Sequence, residues 1–121
     1  MCRVLVIDDE EIVAEMLADT LEVLGCEVQV ANSGREGLSR ARKFLPDVIT
    51  LDLKMPGMDG FKVLEQLKKD SRTRDIPVLI ATINKRKEVI ERGYLLGAAK
   101  YFIKPLSAES LRETIAAYAA V

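Results

Sequence analysis

Asp8 and Asp9 stand side by side after one apolar run, Asp52 closes a second, and Thr82 and Lys104 each follow another. Carboxylates forced together repel, so they must either keep a proton or hold a cation. Oxygen-only ligands of this kind suit Mg²⁺, which takes one or two carboxylates, keeps several waters and recruits phosphate oxygens. Beside such a cation a carboxylate attacks phosphorus to form an acyl phosphate, while positive charge and a hydroxyl donor neutralise the transferring group. Asp52 is assigned as the nucleophile, Lys104 as the ammonium and Thr82 as the hydroxyl. The chain contains no histidine, which argues against zinc and against histidine-based triads.

The elements that must position these residues are short. Val4-Leu5-Val6-Ile7, Val28-Gln29-Val30, Val48-Ile49-Thr50-Leu51, Val78-Leu79-Ile80-Ala81 and Tyr101-Phe102-Ile103 are each of strand length, several of them rich in Val and Ile. Between them lie helical spacings: Val13, Met16, Leu17, Leu21 and Leu24; Leu38, Ala41 and Leu45; Phe61, Leu64 and Leu67. The alternation predicts an α/β domain whose parallel sheet is covered by helices on both faces. In such sheets, groups at the C-terminal strand ends converge where the strand order switches, which gathers Asp8, Asp9, Asp52, Thr82 and Lys104. Ser33 and Glu36 have capping-box spacing, Gly25 and Gly97 follow helical stretches, and Pro77 precedes the fourth strand, where a missing donor costs little. A last helix is expected from about Ser107, with Leu111, Ile115 and Tyr118 at helical spacing.

At 121 residues the chain fits one domain. It is 49% hydrophobic and 31% charged, and its 18 Lys and Arg are offset by 19 Asp and Glu, the composition of a soluble globular domain. The only basic cluster is Lys85-Arg86-Lys87, so nucleic-acid binding by this chain alone is not expected. No apolar run reaches membrane-span length, and the first strand starts too early to leave room for a signal peptide. Cys2 and Cys26 are too few and unpatterned for a disulfide framework or metal site, which makes a reducing cytoplasm the expected compartment.

Val6-Ile7-Asp8-Asp9-Glu10, Leu51 through Gly60 (LDLKMPGMDG), Pro77 through Thr82, and Gly97 through Pro105 (GAAKYFIKP) occur in that order over nearly the whole chain. In these pieces the sequence resembles the receiver domain of bacterial two-component response regulators. The resemblance implies a flavodoxin-like, doubly wound sheet of five strands in the order 2-1-3-4-5 with five helices, one receiver domain over residues 1–121. It implies that Asp52 accepts phosphate from the phosphohistidine of a sensor kinase or phosphotransfer protein. Asp9, Asp52 and the main-chain carbonyl of Lys54 would bind Mg²⁺ directly, with Asp8 acting through water. Thr82 would swing toward the phosphoryl group, Tyr101 would rotate inward, and the face of the fourth helix, fifth strand and fifth helix would signal to an effector protein or fused output domain. Such a domain turns over no external substrate and catalyses its own phosphorylation and dephosphorylation. Three positions depart from, or vary within, that pattern: Ile83, where the family usually has a small residue, and the pair Lys54 and Asn84, which flanks the site.

Each residue also has a plainer reading. Asp8-Asp9-Glu10 suits a helix start, Asp52 a turn, Thr82 a cap, Lys104 the surface and Tyr101 half-buried packing; Met55 and Met58 read as loop packing. Joint placement after four different strands outweighs these. A non-phosphorylated pseudo-receiver would lack Asp52, the acidic pair or Lys104. A haloacid-dehalogenase-type phosphatase needs a second Asp two residues past its nucleophile, and neither Asp8 nor Asp52 has one. No phosphate-binding glycine loop follows any strand, which disfavours a nucleotide-binding module, and a flavodoxin would need Ser, Thr and Gly where this chain has acids.

Overall fold

Every apolar run becomes a strand. The computed structural model describes residues 2–55 and 57–119, so Pro56 of the LDLKMPGMDG segment lies outside the described residues. The elements alternate as β1 (Cys2–Ile7), α1 (Glu11–Val23), β2 (Cys26–Ala31), α2 (Gly34–Phe44), β3 (Val48–Leu51), α3 (Gly60–Lys69), β4 (Val78–Thr82), α4 (Lys87–Leu95), β5 (Lys100–Ile103) and α5 (Ala108–Ala119). All pairings are parallel, in the order β2-β1-β3-β4-β5. The expected doubly wound α/β fold is present.

Successive side chains of a strand point to opposite faces, and the two cores show this directly. Leu5, Ile7, Ile49, Leu51 and Ile80 pack with Leu38, Phe44, Val63, Leu64 and Leu67 on the side of α2 and α3. Val4, Val6, Val48 and Leu79 pack with Ala14, Leu21, Leu111 and Ile115 on the side of α1 and α5. Burying one such aliphatic side chain is worth roughly 1.5–3 kcal/mol, so the central strands are anchored from both sides. β2 and β5 are the edges, and β5 leaves Lys100 and Ile103 exposed.

Helix α1 differs from its expected stripe. Ala14, Ala18 and Leu21 are its buried residues, whereas Met16 is 65% exposed and turns outward with Ile12. Small alanines let α1 lie close to the sheet, and a count of large apolar residues overlooks them. At α2 half of the capping box forms: Ser33 Oγ accepts from Glu36 N at 3.1 Å, but the Glu36 carboxylate turns to Arg40 Nε at 2.9 Å. The same helix ends at Leu45 in a left-handed conformation, φ 48°, ahead of Pro46. Gly25 and Gly97 occupy positive φ as expected.

Because β1 sends its chain toward β2 while β3 lies on its other side, the connections leaving β1 and β3 diverge and open a crevice at their C-terminal ends.

Candidate functional site

Four strands deliver one residue each to this crevice. Asp8 follows β1, Asp52 follows β3, Thr82 ends β4 and Lys104 follows β5; the first three are at least nine-tenths buried. Asp8 is tied to β2 through its amide, which donates to the Ala31 carbonyl at 3.0 Å, and through its own carbonyl, which accepts from Asn32 Nδ2 at 3.0 Å. The Asp52 amide donates to the Ile7 carbonyl at 3.0 Å, and the Lys104 amide to the Thr82 carbonyl at 2.9 Å. Sheet-type hydrogen bonds therefore continue one residue beyond the strands and fix the backbones from which the side chains project.

Both acids fold back on their own loops. Asp8 Oδ1 accepts from Glu10 N at 3.0 Å and Asp52 Oδ1 from Lys54 N at 3.3 Å, each a local turn of a kind that Asp favours. Their remaining oxygens face one ammonium: Lys104 Nζ lies 2.6 Å from Asp8 Oδ2 and 3.3 Å from Asp52 Oδ2. Burial alone would lower the Lys104 pKa, but the Asp8 hydrogen bond and the charges of Asp52 and Asp8 together raise it above the ordinary lysine value.

Oxygen atoms of Asp8, Glu10 and Asp52 lie within 4.8 Å of one another. Asp8 and Asp52 are buried and Glu10 is exposed; three carboxylates against one ammonium leave a formal excess of two negative charges, which fits an all-oxygen site for a divalent cation. Among the described residues, Asp9 is half-buried and stands outside this group; Glu10 takes the third place. Sequence reasoning noticed Glu10 only as part of a motif, because its position depends on the turn at Asp8. Lys54 is exposed and approaches Asp52 through its amide.

Thr82 Oγ1 accepts from Asn84 N at 3.5 Å, and the Tyr101 hydroxyl donates to the Asn84 carbonyl at 2.7 Å. Burial, and then the Asp52 charge, raise the Tyr101 pKa. Asn84, seen beforehand only as a flanking position, thus touches both Thr82 and Tyr101. Gly60 was likewise unforeseen: a Cβ there would stand 2.5 Å from the Asp52 carbonyl oxygen and 2.5 Å from Leu53 Cα. Ile83 is 68% exposed and lines two openings beside the site. One, of about 980 Å³, is shared with Lys54, Phe61 and Val89; the other, of about 430 Å³, with Met16, Pro105 and Leu106.

Fold and crevice together define a flavodoxin-like α/β domain with an acidic, lysine-bridged pocket at its switch point. The chain belongs to the response regulator receiver domain family, whose model matches residues 4–116. Receiver domains are the phosphoacceptors of two-component signalling, and this chain is one of them. It is 38% identical to Protein PilH of Pseudomonas aeruginosa over 115 residues, 95% of each chain. It is 39% identical to the DNA-binding dual master transcriptional regulator RpaA of Synechocystis over 111 residues, 92% of this chain but 46% of that one. The chain therefore spans nearly all of PilH and about half of RpaA. The solved structure of Vibrio cholerae chemotaxis protein CheY4 superposes with TM-score 0.91 at 34% identity, covering 98% of both chains. The receiver domain of sensor histidine kinase PA1611 from P. aeruginosa, solved with magnesium in its active site cleft, superposes with TM-score 0.90 at 20% identity over 99% of this chain and 98% of that one; at that identity the likeness is one of fold.

Proposed function

We propose that Asp52 is the phosphoacceptor and that the domain, residues 1–121, catalyses its own phosphorylation and dephosphorylation and turns over no other substrate. The observation that carries this reading is the Lys104 ammonium held between the Asp8 and Asp52 carboxylates. Asp52 attacks phosphorus, the bond from phosphorus to the donor nitrogen or oxygen breaks, and the leaving group departs with the electron pair. Lys104 moves its charge from the carboxylates to the new phosphoryl oxygens, and Thr82 Oγ1 supplies a hydrogen bond. Water attack on the same phosphorus breaks its bond to the Asp52 oxygen, which releases inorganic phosphate and returns Asp52 as a carboxylate. Asp9, Asp52 and the Lys54 carbonyl, with Asp8 through water, would hold Mg²⁺, which supplies the positive charge that such transfer requires. The convergence of Glu10 on Asp8 and Asp52 favours a second ligand set in which Glu10 replaces Asp9.

Asn84 supports the switch. Because it bonds both Thr82 and Tyr101, a shift of Thr82 toward the phosphoryl group is felt at Tyr101 on β5. That differential contact is what a two-state element requires. The face of α4, β5 and α5 then signals. The partners are a sensor histidine kinase or phosphotransfer protein and an effector or fused output domain, in the cytoplasm, with neither nucleic acid nor membrane bound by this chain. Among the described residues, no helix is long and apolar enough to cross a membrane.

The test is intact-protein mass after incubation with Mg²⁺ and acetyl phosphate, beside Asp52→Asn, a chelator control and Ile83→Ala. A single phosphoryl adduct, lost in the first two controls, is expected. Absence of an adduct from both wild type and Ile83→Ala would leave an interaction-only domain.

A further inference from the structure

Cys2 and Cys26 take part in no step described above. They open β1 and β2 and are register partners across that strand pair, and both side chains enter the core under α1 and α5. Both are free thiols and buried. Neighbouring strands run about 4.8 Å apart, and a disulfide needs Cα atoms roughly 4.4–6.8 Å apart, so the ladder already holds the pair at bonding range. Burial, and then a hydrogen bond with Cys26, push the Cys2 thiol up to about 12.

We propose that Cys2 and Cys26 form a redox pair that closes to an intrachain disulfide at the expense of a low-molecular-weight disulfide such as oxidised glutathione. Cys26 is the entry point. It follows the Gly25 turn on an edge strand whose one sheet partner is β1, and it is 6% exposed against 1% for Cys2. The Cys26 thiol loses its proton and attacks one sulfur of the oxidant, whose S–S bond breaks to release the first thiolate. Cys2 then loses its proton to solvent and attacks the Cys26 sulfur of the mixed disulfide, expelling the second thiolate. Two protein thiols are oxidised by two electrons, and the oxidant is reduced to two thiols. The new bond ties the edge strand to β1 roughly 20 Å along the strand from Asp8, so the acidic crevice is left as it was.

The experiment is to incubate the folded, full chain with excess oxidised glutathione and to follow intact mass, thiol count and non-reducing electrophoresis. Urea-unfolded protein serves as the chemical control. Expected is a monomer lighter by two hydrogens with no titratable thiol and a melting midpoint several degrees higher, all reversed by dithiothreitol. Cys2→Ala is expected to stop at the glutathione adduct on Cys26. The wild-type result stands by itself if that variant fails to fold. Two remaining thiols, an arrested adduct or a disulfide-linked dimer from folded wild type would each overturn the proposal.

Discussion

Lys104 Nζ sits 2.6 Å from Asp8 Oδ2, and the pair joins residues 96 apart in sequence. The same ammonium is 3.3 Å from Asp52 Oδ2, so one cation closes the sheet's β1, β3 and β5 strand ends onto one another. Removing a partner from a buried ion pair costs about 3 kcal/mol or more, here because two carboxylates are left facing each other. Lys104→Gln is expected to lose that much in urea unfolding at pH 7 with chelator present, and less when Mg²⁺ is supplied.

The pH dependence has a definite sign. A folded-state pKa raised above the ordinary value means that the Lys104 contribution is fully present below about pH 10.4, the unfolded lysine value. It is lost as pH rises through the higher folded value. The stability gap between wild type and Lys104→Gln should stay level from pH 7 to about 10 and narrow above that. A gap that persists unchanged through the alkaline range would show that packing, not charge, is what the lysine supplies.

Cation binding separates the two acid assignments. Any ligand that binds only the folded state stabilises it by RT ln(1 + [L]/Kd), about 2.7 kcal/mol at a hundredfold excess over Kd. Mg²⁺ is expected to stabilise wild type by this route and to leave Asp52→Asn unmoved. Without Mg²⁺, Asp52→Asn should itself be more stable than wild type, because one of three crowded carboxylates has gone. Asp9→Asn is expected to weaken Mg²⁺ binding at least about tenfold, roughly 1.4 kcal/mol, and Glu10→Gln less. The reverse order, read by titration calorimetry, would assign the cation to Asp8, Glu10 and Asp52.

What the sequence disclosed follows from where single residues decide matters. Strands β1, β3 and β4 are buried on both faces, so their runs are apolar apart from Arg3, Thr50 and the terminal Thr82, and Asp8 and Asp52 just past β1 and β3 and Thr82 at the end of β4 could be placed without coordinates. Helix α4 was harder, since Gly93 is its one buried residue and no apolar stripe marks it. The inward face of α1 rests on Ala14 and Ala18, which periodicity of large residues passes over, while Met16 points to solvent. Glu10 and Asn84 escaped for another reason: their contacts arise from turns after Asp8 and Thr82, and turn geometry is not written in residue type alone.

The Tyr101 hydroxyl bond to the Asn84 carbonyl, 2.7 Å, gives the switch a direct test. Tyr101→Phe removes a neutral hydrogen bond worth about 1 kcal/mol and no group that touches Asp52. Phosphoryl adduct formation should survive, whereas amide exchange across 83–87 should quicken and lose its response to phosphorylation. Unchanged exchange in that segment would disconnect Tyr101 from Thr82.

Gly60 sets the tightest constraint on the nucleophile. Its amide donates to the Leu53 carbonyl at 2.9 Å, and an added Cβ would meet two backbone atoms, the Asp52 oxygen and Leu53 Cα, both at 2.5 Å. No side-chain rotation relieves a clash with backbone, so the loop carrying Asp52 must move. Gly60→Ala is expected to cost about 3 kcal/mol and, measured well below its melting transition, to slow phosphorylation on the order of a hundredfold, since displacing a reacting group by about 1 Å has that effect. Gly57 is the control. It has φ +84° with nothing within 4 Å of an added Cβ, so Gly57→Ala should cost only backbone strain of about 1–2 kcal/mol and leave the rate near wild type. Equal slowing in both variants would trace the effect to loop stiffness, whereas slowing confined to Gly60→Ala would show that the approach of α3 to the β3 terminus is what aims Asp52.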